Sequence, residues 1–274
     1  IFGAQYFGKG NHKGHMHSFR FKLYASLTMT AVTILLFITK GSTLISLYLT
    51  DTTGSGATET ALQYGLEYLA IMMIGLIPFA INQSYATNIK ETGQTMIPMI
   101  ASFAAVGINA VLDYLLIFGL GPIPKMGVVG AALATVIARY IEALIVIVWA
   151  HTNRAKNRYL EGAYRGFGIP KAEFKAILIK GLPLMLNEVF WAAGMTTVTQ
   201  CYSVRGLEVI AGLNIATTIT NLFNIIYIQL GGCISIVVGQ YLGAGKLKEA
   251  KDADNKMIVF SVFSCAIVAG VMLI

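Results

Sequence analysis

Charged side chains are scarce in this sequence of 274 residues. Asp, Glu, Lys and Arg together make up 12% of the chain, about half of the roughly 25% found in ordinary soluble domains. Hydrophobic residues account for 56%, and the mean hydropathy is +0.68. This composition excludes a water-soluble globular domain and favours a protein whose segments lie in a lipid bilayer.

The sequence also lacks the residue patterns of common catalytic and metal centres. Its cysteines lie in apolar segments without a Cys-x-x-Cys neighbour, so they predict packing rather than a disulfide framework; they are Cys201, Cys233 and Cys265. The apolar segments hold no Ser-His-Asp set and no HExxH motif, and Gly8-Lys9-Gly10 is not a Walker phosphate-binding loop. We therefore expect no enzyme and no resident cofactor.

Long apolar runs dominate what is present. A run of about 20 apolar residues crosses a bilayer as a helix, and six complete runs occur: roughly 23–49, 66–87, 96–119, 127–150, 177–202 and 208–238. The chain opens on the end of another helix, begins with Ile1 rather than Met, and closes inside a further run near 257–274. The predicted fold is an all-α polytopic membrane protein, and the chain is expected to be part of a longer one.

Most of the 20 basic residues fall in loops on one side of these runs, namely 9–22, 88–95, 151–176 and 246–256. Basic loops remain in the cytoplasm, so the net charge of +7 indicates orientation rather than nucleic-acid binding. His12, His15 and His17 are expected in a solvated basic loop rather than at a metal. The longest hydrophilic stretch, 151–176, predicts a linker that lets lobes 1–150 and 177–274 move separately.

One motif occurs twice. Gln5-Tyr6-x-Gly8-x-Gly10 returns 235 positions later as Gln240-Tyr241-x-Gly243-x-Gly245. Six apolar runs lie between the copies, so both belong on the same face of the membrane. Parallel repeats of this kind are typical of transporters, in which one lobe moves against the other.

Ionisable residues inside a span are costly and therefore indicate functional sites. Asn109 and Asp113 are one helical turn apart and share a face, and Thr135 lies at similar depth on the next, antiparallel run. Carboxylate, amide and hydroxyl oxygens suit Na⁺ or a carried proton. The alternative is an aspartate that only fastens two helices by hydrogen bonds.

Four further polar candidates lie inside runs. Glu188, beside Asn187, sits near the centre of its run and is predicted to exchange a proton or cation; its alternative is a neutral acid bonded to a neighbouring helix. Arg139 and Glu142 are three residues apart, which favours a structural intrahelical pair. Arg139 also follows Thr135 by one turn, where it would respond to the charge of Asp113.

Four stretches together resemble the multidrug and toxic compound extrusion (MATE) family of cation-coupled antiporters. They are the repeated Gln-Tyr-x-Gly-x-Gly loops, Lys90-Glu91-Thr92-Gly93-Gln94-Thr95 with Pro98, Asn109-x-x-x-Asp113-Tyr114 into Phe118-Gly119, and Gly127 to Thr135. The resemblance implies twelve helices in two lobes of parallel six-helix repeats around a central cavity. This chain would then run from the end of helix 2 into helix 9.

The resemblance also implies an activity and its residues. Such proteins export cationic or amphipathic drugs and toxins across the plasma membrane in exchange for Na⁺ or H⁺, by rocking alternating access. Many members bind the cation with an Asn and Asp on helix 5 and a Thr on helix 6, which match Asn109, Asp113 and Thr135. Other members use a carboxylate on helix 7, which Glu188 matches. The implied partners are the bilayer and organic cations, and any metal would be transported Na⁺.

Other functions are less consistent with the sequence. A flippase for lipid-linked sugars needs a cationic cavity for pyrophosphate. Apart from Lys40 and Lys180, which belong with the flanking loops, only Arg139 carries a positive charge within the runs. A membrane-embedded enzyme needs a catalytic set that the runs do not hold. A non-transporting receptor or scaffold does not explain carboxylates inside both lobes.

Overall fold

The computed structural model describes residues 2–49, 57–119, 124–166 and 168–272 of the chain, and the helices account for most of them. The helices are α1 (Phe2–Gly8), α2 (His12–Ser46), α3 (Ala57–Glu91), α4 (Met96–Phe118), α5 (Gly127–Thr152), α6 (Lys171–Ser203), α7 (Leu207–Gly243) and α8 (Leu247–Met272). Seven, α2 to α8, contain segments long and apolar enough to cross a membrane. The predicted all-α polytopic fold is confirmed.

The helices α2 to α5 form the better-packed part of the molecule. α5 packs against both α3 and α4, and α2 packs against α3. Their buried cluster lies at the end that carries the basic loops and includes Phe19, Tyr85, Ile89, Val146 and Tyr159. Along the outer faces of the helices large apolar side chains point outward, as expected where lipid rather than water is the solvent; the side chains of Ile38 and Phe103 are examples.

The repeated motif has the same backbone conformation in both copies. Each copy ends a helix with a Schellman turn, in which the closing residue must take a left-handed conformation that suits glycine. Gly10 has φ of 70° and Gly245 has φ of 76°. The closing hydrogen bonds run from Asn11 N–H to the Tyr6 carbonyl at 2.8 Å and from Lys246 N–H to the Tyr241 carbonyl at 3.0 Å. The repeat seen in the sequence is therefore also a repeat in structure.

The first part of the 151–176 segment is anchored to α2, and its role as a linker between separately moving lobes stays a prediction. The guanidinium of Arg20, itself buried, donates to four backbone carbonyls of this segment: Ala163 and Gly168 at 2.8 Å, Gly162 at 2.7 Å and Arg165 at 3.2 Å. A short 3₁₀ turn, Arg158–Leu160, buries Tyr159 against Phe19, with ring centroids 5.3 Å apart. Burial raises the pKa of the Tyr159 phenol, so this side chain stays neutral.

The basic residues at 12–22 also lie on a helix rather than in a loop. Asn11 caps the start of α2, because its side-chain oxygen accepts a hydrogen bond from the N–H of Gly14 at 2.9 Å. The expectation of a solvated histidine loop is wrong for His15, which is 1% exposed and lies 4.8 Å from the Tyr159 ring. His17 contacts Glu173 at 2.7 Å. The cap at Asn11 is the sequence signal that reveals this helix start.

Candidate functional site

Asp113 and Asn109 lie on α4, one turn apart and partly buried. Asp113 Oδ1 and Asn109 Nδ2 are both inaccessible to solvent, and no residue within the described ranges hydrogen-bonds to either atom. A buried polar atom without a partner costs about 1–3 kcal/mol. The Asp113 oxygen is an acceptor that can bind a cation, whereas the Asn109 nitrogen is a donor that cannot. This arrangement favours a binding site over an aspartate that fastens two helices.

The helix that carries Thr135 approaches α4 very closely. A Cβ added at Gly130 of α5 would lie 2.6 Å from the Leu116 carbonyl oxygen of α4, closer than real Cβ atoms come to other atoms. From this contact Thr135 lies five residues along α5 and Asp113 three residues back along α4, or about 7.5 and 4.5 Å at helical rise. Since α4 and α5 are joined by a short connection and run antiparallel, both side chains come to similar depth.

Thr135 keeps a lone pair for a ligand. Its hydroxyl donates to the Ala131 carbonyl one turn back, at 3.0 Å, which uses its proton and leaves the oxygen free to accept. With Asp113 and the Asn109 side-chain carbonyl it offers the hard oxygen ligands that Na⁺ binds. The cation site at these three residues stays a prediction.

The expected pair of Arg139 and Glu142 does not form in the part of the chain that is described, so this prediction is wrong. Glu142 instead accepts a hydrogen bond from Ser102 of α4 at 2.7 Å, and the Arg139 guanidinium lies 4.6 Å from the centre of the Phe79 ring on α3. Neighbouring helices offer each side chain a separate partner, and these contacts replace the intrahelical one. Both residues therefore connect helices.

Glu188 and Asn187 lie on α6, away from the α4–α5 site, and both side chains are exposed. Pro183 lies inside the same helix, as Pro78 does in α3. The structure thus places one candidate carboxylate on α4 and the other on α6, and it does not bring them together. A coupling role for Glu188 stays a prediction.

A second polar cluster, at the end with the basic loops, was missed by reasoning from the sequence. Glu91 ends α3 with its side chain 1% exposed, and its carboxylate lies 2.5 Å from Lys22 Nζ and 3.6 Å from His15 Nε2 of α2. The side chain of Gln240 on α7 donates to the Glu91 carbonyl at 2.8 Å. Recurrence of the Gln-Tyr-x-Gly motif was the signal for this contact, but a repeat does not say what its residues touch.

Long apolar helices, a repeated helix end and polar atoms buried within the spans define a polytopic helical membrane protein. A family model described as MatE matches residues 1–115 and 183–274, and the chain belongs to this family. The family expected from the motifs is therefore confirmed.

Known members of the family are similar over most of this chain. The probable multidrug resistance protein NorM of Oceanobacillus iheyensis is 30% identical over 207 residues, 75% of this chain and 46% of that protein. The protein of the same name from Thermotoga maritima is 29% identical over 180 residues, 65% of this chain and 38% of that protein. The chain spans less than half the length of these relatives.

Solved structures share the fold. A crystal structure of a MATE protein in the bent conformation superposes with a TM-score of 0.79 at 22% identity, over 99% of this chain and 58% of that one. A multidrug resistance MATE family transporter in the outward-facing conformation gives 0.72 at 21% identity, over 99% and 58%.

Proposed function

We propose that this chain belongs to a secondary active antiporter that exports cationic or amphipathic compounds in exchange for Na⁺ or H⁺. The observation that carries the proposal is the buried, unpartnered carboxylate oxygen Asp113 Oδ1 within a span. Membership in the MatE family and the names of the multidrug resistance relatives support it.

Asp113 is the coupling group in this proposal. Its free carboxylate oxygen binds the ion from outside, together with the Thr135 hydroxyl oxygen and the Asn109 side-chain carbonyl. A bound Na⁺ or proton neutralises the carboxylate, which weakens its attraction for a cationic compound in the same cavity. The compound then leaves outward, and the lobes move so that the ion is released to the cytoplasm.

Glu188 offers a second route to the same exchange from α6. An exposed side chain with no partner among the described residues is free to take up a proton or cation from a central cavity. The proposal requires at least one of the two carboxylates to couple, and variants separate them.

The test is efflux of a fluorescent organic cation, ethidium, from vesicles that contain the full-length gene product. Na⁺ and pH gradients are imposed separately, on the parent and on Asp113→Asn and Glu188→Gln. Glu67→Gln is the matched control, since Glu67 is a partly buried carboxylate on α3 that already contacts Gln63 at 3.2 Å.

We expect at least one gradient to drive efflux, and Asp113→Asn to abolish gradient-driven efflux while Glu67→Gln retains it. Loss in Glu188→Gln alone would assign coupling to α6 instead. Efflux that persists in both variants would remove both carboxylates from the mechanism. A folded parent that exports nothing under either gradient would refute the drug antiporter and favour the lipid-linked substrate.

A further inference from the structure

We propose that the two copies of the Gln-Tyr-x-Gly motif bind each other to close the cytoplasmic side of the transporter, and that Gly8 and Gly243 are the positioning residues of this closed state. The inference rests on the proposed function, because only a transporter that alternates between two open states needs such a closure. The contact itself is read from the backbone of α1 and α7.

The packing of the two copies is reciprocal. A Cβ added at Gly8 would overlap the backbone carbonyl of Gln240, and a Cβ added at Gly243 would overlap the backbone carbonyl of Gln5. Gly8 corresponds to Gly243 in the repeat, and Gln5 corresponds to Gln240. The same contact therefore occurs twice, as it does across a twofold axis, where residue i meets j and j meets i.

Glycine is required at both positions for a physical reason. The distance from the added Cβ to the neighbouring Cα atom is 2.9 Å for Gly8 and 2.8 Å for Gly243, below the 3.0 Å that real Cβ atoms keep. Both neighbours are backbone, which cannot rotate aside as a side chain does. Helices approach this closely only through small residues.

The contact joins the two predicted lobes. α1 lies in the segment 1–150 and α7 in 177–274, and the α1–α7 contact is the most extensive one between these segments among the described residues. Gln240 adds a hydrogen bond from α7 to the Glu91 carbonyl at the end of α3. Since Lys22 holds the Glu91 carboxylate, the second copy is attached to α1, α2 and α3 together.

The contact lies on the side predicted to be cytoplasmic and is weak enough to break, as a reversible closure requires. Both motifs end at basic loops that the charge distribution assigns to the cytoplasm. Backbone packing holds the copies together, and a neutral hydrogen bond holds Gln240 of the second copy on α3. Both contacts can break and re-form without the removal of a buried charge from its partner. An interaction of this type allows two states of similar energy.

The experiment measures the distance between two spin labels in the full-length gene product. The labels replace exposed Lys13 and Lys248, which follow the two motifs at equivalent positions, after the native cysteines have been changed to serine. Gly8→Ala and Gly243→Ala each introduce the overlapping methyl group. Gly232→Ala is the matched control, since it lies on α7 and an added Cβ there meets no atom within 4 Å.

We expect Gly8→Ala and Gly243→Ala to move the population from a short to a longer label distance by about tenfold, the effect of an overpacked contact. The two shifts should be equal, because the contact is reciprocal, and Gly232→Ala should leave the distribution unchanged. Gln240→Ala adds no overlapping methyl group and removes only the hydrogen bond to the Glu91 carbonyl, so it should give a smaller shift in the same direction. It replaces the two glycine variants in the test if these do not fold.

Unchanged distances in folded Gly8→Ala, Gly243→Ala and Gln240→Ala would overturn the closure, as would a shift of equal size in Gly232→Ala. The distance readout needs no substrate. A parent without efflux whose distances respond as expected would retain the closure and refute the drug antiporter. A parent with gradient-driven efflux and unresponsive label distances would retain the drug antiporter and overturn the closure.

Discussion

Replacement of Arg20 by alanine is expected to release the 158–168 segment from α2. Arg20 donates four hydrogen bonds to carbonyls of this segment, of which the bond to Ala163 is buried and the other three are partly buried. A hydrogen bond to a charged group contributes about 1.5–3 kcal/mol when buried. The partly buried carbonyls regain water after the change, so we count about 0.5 kcal/mol for each of these.

The sum is about 3–4.5 kcal/mol for local opening, which corresponds to roughly a 100- to 1000-fold rise in the open population. Hydrogen–deuterium exchange of the backbone amides in 158–166 measures this directly, since exchange follows the open fraction. Arg20→Lys should recover only part of the protection, because one ammonium group cannot reach four carbonyls. Arg165→Ala is the control, since its side chain is exposed while its carbonyl remains in place.

Protection that stays within threefold of the parent in Arg20→Ala would refute this reasoning. The segment would then be held mainly by burial of Tyr159 and Leu160 against the core. An equal loss in Arg165→Ala would also contradict it, because the effect would then follow from positive charge rather than from the hydrogen bonds of Arg20.

Two further predictions concern packing. Gly130→Ala should force α4 and α5 apart, destabilise the protein by about 1–3 kcal/mol and weaken ion-driven efflux. Gly107→Ala on α4 is the control: an added Cβ there meets no atom within 4 Å, so efflux should not change. Equal efflux from both variants would contradict the close approach. Tyr159→Phe should leave the melting temperature unchanged or slightly raised, because within the described ranges the buried hydroxyl has no hydrogen-bond partner. Tyr164→Phe, which loses the hydrogen bond to Tyr85, should lower the melting temperature. A larger loss in Tyr159→Phe than in Tyr164→Phe would refute the view that the Tyr159 hydroxyl has no partner.

Several features of the fold followed from local physical rules. A run of apolar residues has few alternatives to a membrane helix, because backbone groups in lipid must bond internally. The spans at 96–119 and 127–150 accordingly correspond to α4 and α5. The spacing of Asn109 and Asp113 likewise placed them on one face without knowledge of any neighbour.

Side-chain partners were harder to predict, because they depend on which helices meet. Arg139 and Glu142 are close in sequence, yet Phe79 and Ser102 on other helices are their partners. His15 carries a polar side chain in a basic segment and is nonetheless buried, because the anchored linker places Tyr159 over it.

The sequence by itself determined the membrane class, the spans, the family and the two copies of the motif, because hydropathy and repetition are properties of consecutive residues. Only the tertiary structure decided that Gly8 lies on Gln240 and Gly243 on Gln5. These contacts join residues more than 230 positions apart in the chain, and only the packing of α1 against α7 brings them together. The same holds for the unpartnered oxygen of Asp113, since burial and lack of a partner are properties of the packed helices.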